Sequence, residues 1–191
     1  MNKEILIAIA IGIGLSASCG FRVFVPMLVA SIAAKTGIFP LNEGFQWLAG
    51  WPAIFCFGTA TVAEILAYYI PFIDNLLDTI TTPLAIGAGT LLLTSVLPID
   101  NYFLKWVTGF LFGGGAAATV QGGTSLTRLA SSKFTAGTGN AVVATGEHAA
   151  AIGTSVLSLF FPIVVAVLVL VLMIFIFLYF RKKLFKKRIN D

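Results

Sequence analysis

Three carboxylates, Glu64, Asp74 and Asp78, stand in the stretch 64–82, E-I-L-A-Y-Y-I-P-F-I-D-N-L-L-D-T-I-T-T. The chain around them is strongly apolar. A charge at bilayer depth is costly and faces a bundle interior or a watery cavity. Pro71 predicts that one helix ends and another begins inside this stretch. Asp74 and Asp78 are spaced i, i+4, and Thr81 and Thr82 follow on the same helical face. Two carboxylates so close do not both ionise cheaply at low dielectric without a cation or an arginine nearby. The pair therefore reads as a proton- or cation-linked switch, with carbonyls freed by Pro71 as further ligands. Oxygen ligands without thiolates or a histidine cluster favour H⁺, Na⁺ or another hard cation over a transition metal. The competing reading is that both Asp stabilise a helix start at the membrane surface.

The other charged positions in or beside apolar segments are Arg22, Arg128 and Glu147, with His148 adjacent. Ser16, Ser18, Asn75, Gln121, Thr124 and Asn140 are polar companions. One reading gathers these groups around a central site, where carboxylates bind a cation and arginines neutralise charge or grip an anion. The other has Arg22 and Arg128 each pair with a carboxylate and lock the bundle. The expected site is Asp74 and Asp78 facing inward, near Glu64 and at least one of Arg22 or Arg128.

Enzyme signatures are poor, and neither a catalytic residue nor a cofactor is expected. A single histidine excludes a multi-histidine metal site. Gly12 and Gly14 do not open a βα unit. Ser16 and Ser18 have no partner base in view. Intramembrane aspartyl chemistry usually places its two Asp on separate helices. Cys19 and Cys56 lie in apolar segments and read as buried free thiols.

The elements that must position these groups are helices. Residues 5–34 would extend about 45 Å as one helix, against a ~30 Å hydrocarbon core. A tilted or broken helix with a bend between Gly20 and Pro26 is expected. A loop follows from Thr36-Gly37 to Gly44. Residues 46–70 are a span with Trp47 and Trp51 as interfacial anchors, and 74–97 are another. Residues 102–120 run into Gly113-Gly114-Gly115. Residues 121–140 are the least hydrophobic inner segment. Residues 141–161 stop at Pro162, and 163–180 are almost unbroken Val, Leu, Ile and Phe. Gly113–Gly115 and Gly87-x-Gly89 are surfaces for close helix contact, within one chain or between two copies in a homodimer.

The predicted fold class is thus all-α, a polytopic membrane protein of about six passes with broken helices. Residues 1–180 form one transmembrane domain and 181–191 a basic cytoplasmic tail, R-K-K-L-F-K-K-R. Halves 1–98 and 99–180 share a plan: a glycine-broken segment carrying an Arg, a Thr-Gly loop, a helix ending at Pro and a closing helix. This plan reads as an inverted repeat of two three-helix halves, with both termini in the cytoplasm. Composition agrees: 58% of residues are hydrophobic and only 10% charged, against roughly 25% charged in soluble domains. The net charge of +4 resides in the tail, so nothing argues for a nucleic-acid partner. The expected setting is the bacterial inner membrane.

Three blocks carry a family resemblance. G-L-S-A-S-C-G-F-R near the start, E-I-L-A-Y-Y-I-P-F-I-D from Glu64, and N-A-V-V-A-T-G-E from Asn140 resemble the domain-of-unknown-function 4126 family of small bacterial membrane proteins. The resemblance covers nearly the whole chain. Glu64, Pro71 and Asp74 match the middle family motif, while Tyr68-Tyr69 replace an Asp-Lys pair. Asn140 and Glu147 match the later motif, with Ala144 in place of Ser and His148 in place of Asp. Arg128 matches a family Arg, and Thr124 stands where Lys is common. The resemblance implies no activity. The residues themselves favour a channel or transporter for an ion or small polar solute. The alternative is a non-transporting protein that binds a lipid or protein partner, ahead of an intramembrane enzyme.

Overall fold

The computed structural model describes the backbone of residues 3–135 and 139–190, and their side chains except at 71–76, 78, 177 and 179–190. Asp74, Asn75 and Asp78 therefore lie outside the described side chains. Among the described residues the chain is all-helical. Its helices are α1 (Lys3–Ser18), α2 (Phe24–Lys35), α3 (Trp51–Ala67), α4 (Pro71–Thr94), α5 (Tyr102–Thr108), α6 (Gly115–Thr135), α7 (Asn140–Phe160) and α8 (Pro162–Asn190). A 3₁₀ turn, Glu43–Ala49, precedes α3, and a π-helical stretch, Gly109–Gly114, joins α5 to α6.

The bend expected between Gly20 and Pro26 is a reversal. Ser16 donates to the Gly89 carbonyl at 2.7 Å, and Gly12 lies against Leu93 and Val96, so α1 and α4 are antiparallel. Asn42 then bonds the Leu97 carbonyl at 2.9 Å and, through its backbone N–H, the Ser95 carbonyl at 2.8 Å. The chain from Arg22 to Asn42 has thus returned to the level of the first half of α1. Gly37, with φ of 77°, closes the C-terminus of α2 in the left-handed conformation that glycine tolerates. Glu64 meets Val23 and Gly58 meets Leu28, so α3 runs antiparallel to α2. Gly14 meets Ser158, and Arg22 meets His148, so α7 runs antiparallel to α1.

The helical runs therefore alternate in direction: α1, α2, α3, α4, the α5–α6 run, α7 and α8. Seven runs put the start of α1 and the end of α8 at opposite ends of the bundle, not at the same end as six would. The first half holds four runs and the second three, because 5–34 splits where 102–135 stays continuous. The low hydrophobicity of 121–135 does not break that second helix.

Packing explains the rest. α1 is buried along most of its length, from Ala8 to Ser18 except Ile9, and touches α4, α6, α7 and α8. A Cβ on Gly113 would lie 2.4 Å from the Gly89 carbonyl oxygen, and one on Gly89 would lie 2.7 Å from that of Gly113. These glycines let α4 and the π-helical stretch touch backbone to backbone within one chain. Ile11, Leu15, Cys19, Leu92 and Leu93 form the centre of the core. Cys56, expected to be buried, is exposed on α3, and both thiols are free. Large apolar side chains cover the outside, among them Phe55, Leu66, Phe110, Leu168 and Phe175. Tyr102–Thr135 is long and apolar enough to cross a membrane, and Glu43–Ala49 with Trp51–Ala67 passes the same test as a pair bent by 58°.

Candidate functional site

Two interruptions build the site. Residues 19–23 carry Arg22 between α1 and α2, and residues 68–70 carry Tyr68 between α3 and α4. Both face the middle turns of α6 and α7, which supply Arg128, Glu147 and His148. Arg22, Arg128, Glu147, His148, Glu64 and Tyr68 are all buried.

Glu147 is the shared acceptor. Arg22 Nη1 reaches its Oε2 at 2.9 Å. Arg128 Nε lies 3.0 and 3.1 Å from its two oxygens, and Arg128 Nη2 also bonds Oε2. One carboxylate thus joins α7 to α6 and to the α1–α2 break. Tyr68 lies against both arginines: the Arg22 guanidinium carbon is 3.6 Å from its ring centroid and that of Arg128 4.4 Å. An aromatic face attracts cations, so the ring stabilises two guanidiniums that would otherwise repel.

Arg22 makes three further contacts. Its Nε donates to His148 Nδ1 at 2.6 Å, its Nη1 to the Phe21 carbonyl at 3.0 Å and its Nη2 to the Ala144 carbonyl at 3.3 Å. A guanidinium only donates, so Nδ1 must be unprotonated and a neutral His148 carries its hydrogen on Nε2. That nitrogen makes no hydrogen bond of ordinary geometry, although the Ile65 carbonyl acts on the ring. The rings of Tyr68 and Tyr69 stand edge-on to His148.

Glu64 has a different task. Its two oxygens accept the backbone N–H groups of Val23 at 2.9 Å and Phe24 at 3.0 Å. The local sequence supplies no side-chain cap for α2, and this distant carboxylate satisfies the first amides in its place.

A neutral polar layer adjoins the cluster. Tyr68 Oη donates to Thr81 Oγ1 at 3.4 Å, and Gln121 Nε2 donates to the same oxygen at 3.3 Å. Thr124 bonds the Gln121 carbonyl. The fold therefore brings together Arg22, Arg128, Glu147, Glu64, Gln121 and Thr81. Asn140 stands apart, at the start of α7, bonded to Ser132 of α6 at 3.1 and 3.3 Å. Tyr68 and the direct role of His148 were not anticipated, and the one sequence signal was their position at breaks in the family pattern. Among the described residues no group of three or more His, Cys, Asp or Glu is placed to hold a metal.

Glu147 also forms the inner wall of an apolar cavity of about 530 Å³ between α6, α7 and α8. A second cavity of about 530 Å³, between α6 and α8, shares Thr119, Gly123 and Ile176 with it. The two adjoin at these residues and form a partly open trough along α6.

These features define an all-helical bundle with a buried ion cluster at its helix breaks. The chain belongs to the family described as Domain of unknown function (DUF4126), whose family model matches residues 9–182. No curated protein and no solved structure matches it. Tyr68 and Tyr69, which stand where the resemblance implied an Asp-Lys pair, each meet the His148 ring.

Proposed function

We propose that the protein is a polytopic membrane channel or transporter for an ion or small polar solute, centred on Arg22, Glu147 and Arg128. The observation that carries this reading is the meeting of two broken helical connections at a buried ion cluster. Discontinuous helices that expose backbone groups next to charges are how membrane transporters build substrate sites, and intramembrane charges are functional by default. The apolar outer surface and the Tyr102–Thr135 helix support membrane insertion. The basic tail supports a cytoplasmic C-terminus, and an odd number of runs would then leave the N-terminus outside. Flux of H⁺, Na⁺, K⁺ and Cl⁻ into proteoliposomes tests the proposal. Flux of one ion by the wild type, lost in Thr81→Val or Gln121→Leu at unchanged insertion, is the expected outcome. Silence for every ion with inserted, folded protein overturns it.

The trough favours a second reading, a membrane protein that binds a lipid or a partner without transport. It is apolar, partly open and ends at a carboxylate already engaged by two guanidiniums.

A further inference from the structure

The trough along α6 is wider than internal packing requires. A Cβ on Gly122, Gly123 or Gly146 would meet no atom within 4 Å, in contrast to the tight contacts at Gly89 and Gly113. Glycine weakens a helix relative to alanine, and at these positions nothing inside the chain compensates. Gly123 and Gly146 keep the first cavity open between Thr119, Val143, Ala150, Leu172 and Ile176, and Gly122 and Gly123 keep the second open beside Phe175.

The trough has a charged neighbour. α8 lines it through Leu172, Phe175 and Ile176 and continues as helix to Asn190. Residues 181–188 hold six Lys and Arg. They begin about 7.5 Å beyond Ile176 at 1.5 Å per residue. Clustered Lys and Arg at a membrane-exiting helix attract anionic headgroups. Glu147, the carboxylate at the inner wall, is bonded to Arg22 and Arg128, so it offers an incoming molecule no free charge. An apolar trough lined by a helix whose sequence turns basic five residues further on fits an amphiphile with an anionic head.

We propose that the trough holds an acyl chain of an anionic phospholipid, with its phosphate at the level of residues 181–188. This rests on the reading that the chain lies in a bilayer, but not on transport.

The test is native mass spectrometry of the full-length protein in mild detergent, titrated with dioleoyl-phosphatidylglycerol or dioleoyl-phosphatidylcholine. Phosphatidylglycerol adducts should survive at least about tenfold better than phosphatidylcholine adducts. Gly123→Leu and Gly146→Leu fill open space, so both should fold. Each should weaken phosphatidylglycerol binding at least about tenfold, the change produced when roughly two methylenes lose burial. Gly58→Leu, on the far α2–α3 face, should bind as wild type. Replacing Arg181, Lys182 and Lys183 by Gln should erase the preference between the two lipids. Excess inorganic phosphate should displace nothing. The proposal is overturned by unchanged binding in both trough variants, by equal binding of the two lipids to the wild type, or by displacement with phosphate. If one glycine variant does not purify folded, the other and the tail variant decide by the same criteria. Ion-flux silence alongside selective lipid binding would remove the transport reading and leave this one standing.

Discussion

Replacing Glu147 by Gln removes one charge at the point where three elements are tied together. The side chain is 6% exposed and accepts hydrogen bonds from both Arg22 and Arg128. Gln keeps the shape and one acceptor oxygen but brings an NH₂ group against guanidiniums that only donate. Arg22 would keep His148 Nδ1 and the carbonyls of Phe21 and Ala144, all of them neutral. Both guanidiniums would remain on the Tyr68 ring, 3.6 and 4.4 Å from its centroid, with no carboxylate between them. Breaking a buried pair by removing one partner costs about 3–5 kcal/mol. For a chain of this size each kcal/mol lowers Tm by about 2–4 °C, so the expected fall is about 6–20 °C. Thermal unfolding in detergent, followed by tryptophan fluorescence, measures it. Adding Arg22→Met should recover part of the loss, because it deletes one of the two cations left behind. A loss below about 1 kcal/mol for Glu147→Gln, or strict additivity in the double variant, would refute the idea that Glu147 holds the cluster together.

Glu64→Gln should cost about 1–3 kcal/mol, since a side chain with one acceptor oxygen cannot serve both amides. Hydrogen exchange at Val23 and Phe24 should quicken, and unchanged exchange would show that the carboxylate is dispensable. Gly113→Ala should destabilise by about 1–3 kcal/mol, because its methyl meets the Gly89 backbone. Gly87→Ala, which meets nothing within 4 Å, should instead stabilise by up to about 1 kcal/mol, and an equal effect at both sites would contradict the packing. Cysteines introduced at Lys3 and Asn190 should label from opposite faces of oriented vesicles. Labelling from the same face would restore an even number of passes.

Much of the site was legible because charge in an apolar sequence is conspicuous. Arg22, Arg128, Glu147 and Glu64 stand out by contrast alone, and burial forces such groups to find one another. Partner choice was not legible. Nothing local reveals that Glu147 takes both arginines while Glu64 caps a helix 41 positions earlier. Asn140, expected in the site from the resemblance, instead bonds Ser132 of α6. The reversal after α1 was half visible: Gly20 and Pro26 marked a break, but continuous hydrophobicity on both sides concealed its angle. The continuity of 102–135 was hidden for the opposite reason. Polar residues along 121–135 lower the mean hydropathy without stopping a helix whose inner face meets α1 and α7.

The capping of α2 by Glu64 sets an order on biosynthesis. When α1 and α2 leave the ribosome, the first amides of α2 have no acceptor, and Arg22 has neither Glu147 nor His148, which follows it by 126 positions. On the proposed membrane reading, the α1–α2 hairpin would wait at the translocon or at the lipid headgroups with its apex hydrated. Arrival of α3 supplies the cap, and only arrival of α7 supplies the counter-charge that lets the apex move inward. A chain truncated after α6 should stall at that half-entered stage, recognisable to quality-control proteases by the arginine it has been unable to bury.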